Sequence, residues 1–119
     1  MSIAADGTVQ HEPEMCLRCQ NCVKSCPYSV PQYFEQEQKI GKCDACKDLR
    51  EEGKNPACVD ACVMRALKWG VLGELKEVYG EKPLVSDLPV LPSSEITGPS
   101  VLITPKEKAL NEEYIQVKI

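Results

Sequence analysis

A chain of 119 residues with one Phe, one Trp and four Tyr has little material for a side-chain core, and its eight cysteines are the natural staple for so small a fold. Its length allows one domain, or a small domain with a tail. A formal net charge of −4 is not the footprint of a nucleic-acid binder. No stretch approaches the length of a transmembrane helix. The first seven residues have neither the basic region nor the apolar run of a signal peptide, which argues against a secreted disulfide scaffold.

Residues 1–15 form a short lead. Asp6-Gly7 is a turn signal, and Thr8-Val9-Gln10 predicts a brief strand. His11, the only histidine, is expected as a solvated loop residue. The next run, from Cys16 to Pro27, reads C-x2-C-x2-C-x3-C-P with Cys16, Cys19, Cys22 and Cys26 as its cysteines. That is the bacterial-type binding run for [4Fe–4S] clusters. Three thiolates spaced two apart wrap a tight loop round one cluster. The fourth, on the helical turn that follows, faces away and is free to ligate a second cluster. A structural zinc site needs four ligands and gains nothing from a run ending in Cys-Pro.

Pro27 stops that helical turn. Tyr28–Phe34 is aromatic-rich and is expected as the small core, folded over the first cluster. Tyr33–Lys42, with a polar turn at Glu35–Gln38, predicts a hairpin. A second cysteine group follows: Cys43, Cys46, an eleven-residue spacer, then Cys58 and Cys62. The charged spacer is expected to loop out, with a turn at Gly53. Asn55-Pro56 predicts a helix start with Asn as N-cap, the helix carrying Cys58 and Cys62 on one face. Both groups end in a helical C-x3-C and lead into an apolar segment, so they form an internal repeat.

Ala66–Gly70 predicts a short strand, with Trp69 a core or interface residue. Val71–Tyr79 predicts a helix with Leu72, Leu75, Val78 and Tyr79 on one face and Gly80 as its stop. Beyond Lys82, five prolines in close succession favour an extended segment with a short strand at Val101–Ile103, too apolar for a free linker. Tyr114–Ile119 alternates as a strand does. The fold class expected is α+β: a two-cluster, bacterial ferredoxin-like fold with pseudo-twofold layout, short hairpins and helical turns. It would occupy residues 1–80, with an extended Pro-rich tail over 81–119 docked on the domain or on a partner.

Two [4Fe–4S] clusters are the expected cofactors, with swapped ligation. Cys16, Cys19, Cys22 and Cys62 would hold the first, and Cys43, Cys46, Cys58 and Cys26 the second. No base–nucleophile pair or phosphate loop accompanies them, so the chain is expected to move electrons and not to transform a substrate. Arg18, Lys24, Lys42 and Lys47 flank ligands, where positive charge favours the reduced cluster.

The run Cys16 to Tyr33, with its Pro27-Tyr28 and Pro31-Gln32-Tyr33 segments, resembles the third cysteine group of the iron–sulfur subunits of dimethyl sulfoxide reductase-type molybdoenzymes. Lys42 to Cys62, with its eleven-residue spacer, resembles their fourth, and the likeness continues to about Pro105. The resemblance implies a non-catalytic electron-transfer subunit in anaerobic respiration. Its partners would be a molybdopterin-containing catalytic subunit and a quinol-oxidising membrane anchor. It would sit peripheral to the cell membrane, the periplasmic face favoured. Such subunits usually carry four clusters and this chain matches their C-terminal half, which implies a fragment or a split subunit. Val63 departs from the family's Pro after the last cysteine, so the helix carrying Cys62 is expected to run slightly further. The alternatives are a free soluble two-cluster ferredoxin, which has little use for such a tail, and a zinc module.

Overall fold

Short elements joined by turns are what a chain this poor in aromatics and this rich in prolines can form, and the computed structural model, which describes residues 1–113, is built of them. The polypeptide divides into two compact units, Met1–Trp69 and Gly70–Ile119.

In the first unit, β1 (Ser2–Ile3) pairs antiparallel with β2 (Val9–Gln10). The Asp6-Gly7 turn closes this hairpin. Gly7 takes φ +82°, a left-handed value that suits glycine, and Asp6 Oδ1 accepts from the Thr8 N–H at 3.0 Å and the Thr8 hydroxyl at 2.6 Å. A 3-10 turn over Pro13–Met15 leads into the first cysteine group. Helix α1 (Asn21–Ser25) ends just before Cys26-Pro27, as proline at that place requires. The expected second hairpin forms from β3 (Gln32–Phe34) and β4 (Lys39–Gly41), in the register Tyr33 opposite Ile40.

The core is thin. Among the described residues only Gln10, Pro31, Ile40 and Pro56 are buried. The aromatic segment does not form the expected core: Tyr28 and Tyr33 are half-buried and Phe34 is exposed. Phe34 stands opposite Lys39, and its ring reaches diagonally to Gly41, where a Cβ would stand 2.7 Å from it.

The spacer of the second cysteine group is not an open loop. It folds into α2 (Lys47–Glu51). The Gly53 and Lys54 N–H groups then return to the Arg50 and Leu49 carbonyls at 2.9 Å each, with Gly53 at φ +74°, the bonds of a Schellman stop. Helix α3 (Ala57–Asp60) starts one residue later than expected. Pro56 is its N-cap residue, and the Asn55 side chain donates instead to Asp60 Oδ1 at 2.9 Å. It carries Cys58 but stops short of Cys62, so the expected extension past Cys62 does not occur. Ala66–Gly70 is not a strand. The Ala66 and Leu67 N–H groups there turn to the Cys62 thiol and not to a neighbouring strand.

The second unit holds α4 (Leu72–Tyr79), where expected. Leu72, Leu75 and Tyr79 are half-buried, but Val78 is 70% exposed and lies off that face. Gly80 ends the helix, at a place where a Cβ would meet the Lys76 carbonyl at 2.5 Å. The proline-rich part is not wholly extended. Between Pro92 and Pro99 sits α5 (Ser94–Thr97), capped by the Ser93 hydroxyl and by Gly98 at φ +55°. Asp87 accepts from the Ser94 N–H, which holds its carboxyl below the usual range. The expected strand at Val101–Ile103 reduces to one antiparallel bridge, Val85 to Ile103. The alternating run Tyr114–Ile119 lies outside the described residues.

Candidate iron–sulfur site

All eight cysteines are free thiols. Cys16, Cys22, Cys26, Cys46 and Cys62 are half-buried, and Cys19, Cys43 and Cys58 are exposed. In the first group, Cys16 follows the 3-10 turn and its N–H donates to the Pro13 carbonyl at 3.3 Å. Cys19 lies in the open loop, Cys22 rides on α1, and the Cys26 N–H closes on the Cys22 carbonyl at 3.2 Å. In the second group, Cys43 follows β4, Cys46 is the N-cap residue of α2, Cys58 lies on α3 and Cys62 just beyond it.

The two groups repeat each other in backbone conformation. Arg18 and Ala45, each the residue before the second cysteine of its group, have φ of 57° and 56°. Ser29 and Arg65, each three residues past the last cysteine, have φ of 53° and 50°. Their N–H groups close equivalent turns on the Cys26 and Cys62 carbonyls at 3.1 and 3.0 Å. Left-handed conformations cost non-glycine residues roughly 1–2 kcal/mol each, so four of them at matched places form a pattern.

The Cys62 sulfur sits in a cradle of backbone donors. The Leu67 and then the Ala66 N–H, helped by those of Met64 and Arg65, hold its thiol below the usual cysteine value against the opposing effect of burial. Such a nest of amides favours a sulfur anion. Near Cys43, the Ala45 N–H donates to Cys43 Sγ at 3.4 Å.

The thiolate is the ligand that an iron–sulfur cluster takes, so the donor set fits that cofactor. Among the described residues no three Cys, His, Asp or Glu side chains stand as a metal-binding group. His11 is not the expected solvated residue. It is half-buried, and its Nε2 is shielded without a hydrogen-bond partner.

Of the basic residues expected near ligands, Lys42 donates from Nζ to the Val9 and Cys43 carbonyls. Lys47 pairs with Glu51 at 3.9 Å, one turn along α2. Nothing in the sequence pattern singled out Arg50. Its side chain is 11% exposed and pairs with Asp6, and its guanidinium lies 5.4 Å from the centre of the Trp69 ring. Trp69 is thereby a cation–π partner, 43% exposed, and not a core residue. Gln10 and Thr8 escape sequence reasoning with Arg50, because their partners lie 34 and 42 residues away.

Residues 1–72 match the family model described as a 4Fe-4S dicluster domain. The polypeptide is 39% identical over 100 residues to the B subunit of the anaerobic dimethyl sulfoxide reductase of Escherichia coli (strain K12), a match covering 84% of this protein and 47% of that one. It is 38% identical over 105 residues to the Haemophilus influenzae protein of the same name, covering 88% and 50%. It is 38% identical over 85 residues to protein NrfC of Escherichia coli (strain K12), covering 67% and 38%. The chain thus spans about half the length, or less, of these relatives. Among the described residues no helix is long and apolar enough to cross a membrane. Two cysteine groups with matching turns, in a chain that the dicluster model covers from its first residue to the start of α4, make this protein a member of the 4Fe-4S dicluster family, with [4Fe–4S] clusters as its cofactors.

Proposed function

We propose that the chain is the cluster-bearing part of a non-catalytic electron-transfer subunit in a membrane-associated molybdopterin oxidoreductase of dimethyl sulfoxide reductase type. It would relay electrons between a quinol-oxidising anchor and a catalytic subunit. The observation that carries the reading is the doubled cysteine group, whose left-handed positions recur at Arg18 and Ala45 and at Ser29 and Arg65. The same recurrence supports a pseudo-twofold layout. Cys16, Cys19, Cys22 and Cys62 hold the first cluster, and Cys43, Cys46, Cys58 and Cys26 the second. When bound, each cluster supplies one-electron exchange. The chain's residues supply thiolates, amide donors to sulfur and a partial shield from water.

Residues 1–80 act as the ferredoxin-type domain and 81–119 as a tail docked on the domain or on a partner subunit. A partner is favoured over free diffusion by exposed apolar side chains. Val63, Leu17, Met64 and Met15 are 92, 89, 85 and 82% exposed and adjoin Cys62 and Cys16, two ligands proposed for one cluster. Large apolar residues so placed suit a docking face. The complex would lie peripheral to the membrane.

Reconstitution with iron and sulfide, followed by EPR of serine variants, tests the reading. Cys26→Ser is expected to perturb the same cluster as Cys43→Ser, and Cys62→Ser the same cluster as Cys16→Ser. The reverse pairing would overturn the swap. A colourless protein holding zinc would overturn the cluster reading altogether.

A further inference from the structure

The carbonyls of Cys43, Asp44 and Ala45 are all taken by side-chain donors. Arg50 Nε donates to the Ala45 carbonyl at 2.8 Å, Gln10 Nε2 to that of Asp44 at 3.0 Å, and Lys42 Nζ to that of Cys43. Gln10 is buried, and Arg50 nearly so. A buried guanidinium needs partners on every side, and Arg50 has them. Asp6 takes Nη1, the Thr8 hydroxyl lies 3.4 Å from Nη2, and the Trp69 ring covers a face. Gln10 reaches the Thr8 hydroxyl as well, at 2.8 Å. The β1–β2 hairpin and α2 therefore grip one short loop from its carbonyl side. The loop's other side presents an amide to sulfur, the Ala45 N–H on Cys43 Sγ. Ala45 and Cys46 are held in consecutive left-handed conformations, φ 56° and 51°.

We propose that Arg50 and Gln10 are positioning residues for the second cluster: by fixing the Ala45 and Asp44 carbonyls, while the Cys46 N–H is held by Asp44 Oδ1 at 2.8 Å, they keep the Ala45 N–H turned to the Cys43 sulfur, and so set that cluster's reduction potential and its hold on iron. Amide bonds to sulfur stabilise the more negative, reduced cluster. Loosening the loop therefore lowers the potential. The inference rests on Cys43, Cys46 and Cys58 sharing a cluster. Its roles fall to geometry and not to charge alone, because lysine keeps the charge but cannot hold Ala45, Asp6 and Thr8 with one planar fork.

The test uses the reconstituted holoprotein with Arg50→Ala, Arg50→Lys and Gln10→Ala. Both clusters are followed by potentiometric EPR titration and by iron release to a chelator. Outer-shell partners of metal ligands typically change metal affinity by about 10–100-fold. Arg50→Ala is expected to speed iron release from the second cluster about tenfold and to lower its potential, with the first unchanged. Arg50→Lys is expected to leave the potential low, and Gln10→Ala to act in the same direction more weakly. If Arg50→Ala does not fold, the other two variants carry the test. Recovery of the wild-type potential in Arg50→Lys, equal shifts of both clusters, or no shift would overturn the proposal. Cys43→Ser and Cys58→Ser separate the two failures. If these perturb different clusters, the ligand assignment is wrong; if they perturb the same cluster and the Arg50 and Gln10 variants leave it unchanged, only the positioning role is wrong.

Discussion

The loop that starts at Cys16 and the loop that starts at Cys43 both turn left-handed just before their second cysteine, at Arg18 and Ala45, and then part: the next left-handed residue is Gln20 in the first and Cys46 in the second. Around the first, the backbone bonds lie at the ends of the loop, with the Cys16 N–H on the Pro13 carbonyl at 3.3 Å. The Val23 and Lys24 N–H groups both close on the Gln20 carbonyl at 3.1 Å, and the Cys26 N–H closes on Cys22. Its third cysteine comes three residues after the second and lies already on α1. In the second group eleven residues intervene before the next cysteine, and longer loops cost more entropy to close. There the conformation is supported by side chains of the β1–β2 hairpin and α2. The second loop, which lacks a nearby third cysteine, is thus tied to side chains from elsewhere in the first unit.

Three measurements break or sharpen this contrast. The largest effect is expected from iron removal, which takes away the ligand common to both loops. With Ile40 the one buried large hydrophobic side chain among the described residues, the reduced, chelated apoprotein should show no cooperative unfolding transition by near-ultraviolet circular dichroism. A transition like that of the holoprotein would mean that the hairpins and the Arg50 contacts suffice alone.

A smaller effect, confined to the second loop, is expected from Asp6→Asn. Its hydrogen bonds from Thr8, and then from Arg50, hold the Asp6 carboxyl well below its ordinary 3.8. A carboxyl depressed on folding stabilises the folded state fully above its unfolded value, and that stabilisation fades as pH falls toward the folded value. The ratio of iron-loss rates, variant over wild type, should therefore exceed one and stay constant from neutral pH down to about pH 5, where the Asp6 carboxyl remains ionised. A ratio of one across that range would mean that the Asp6 contacts with Thr8 and Arg50 do not bear on the loop.

The smallest effect is expected from the matched pair Arg18→Gly and Ala45→Gly. Each relieves a left-handed position worth roughly 1–2 kcal/mol and adds unfolded-chain entropy of about 0.5–1 kcal/mol. Iron-loss rates should change little, and equally, in the two. A marked difference between them would show that the Arg18 side chain, with its charge beside Cys19, contributes beyond its backbone conformation.

What the amino-acid order reveals depends on how far apart the partners lie. The Asp6-Gly7 turn, the stop at Pro27, the hairpin at Gln32–Gly41, helix α4 and both cysteine groups are set by residues a few positions apart, and each is legible. Helix α5 had its own local signal, a Ser93 cap and a Gly98-Pro99 stop, which the density of prolines obscured. The strand expected at Ala66–Gly70 fails because its apolar pattern says nothing of amides turned to Cys62. The donors that grip the Cys43–Cys46 loop were beyond reach for a different reason. Asp6 meets Arg50 across 44 residues, and Gln10 meets Asp44 across 34, with no periodicity to announce either.

The β1–β2 hairpin looks dispensable, two strands of two residues each. Its tie to Arg50 and Asp44 makes it a remote handle on the electrochemistry of the molecule. If Arg50 and Gln10 act as proposed, substitutions in residues 1–10 register first as an altered midpoint potential at the cluster assigned to Cys43 and Cys46.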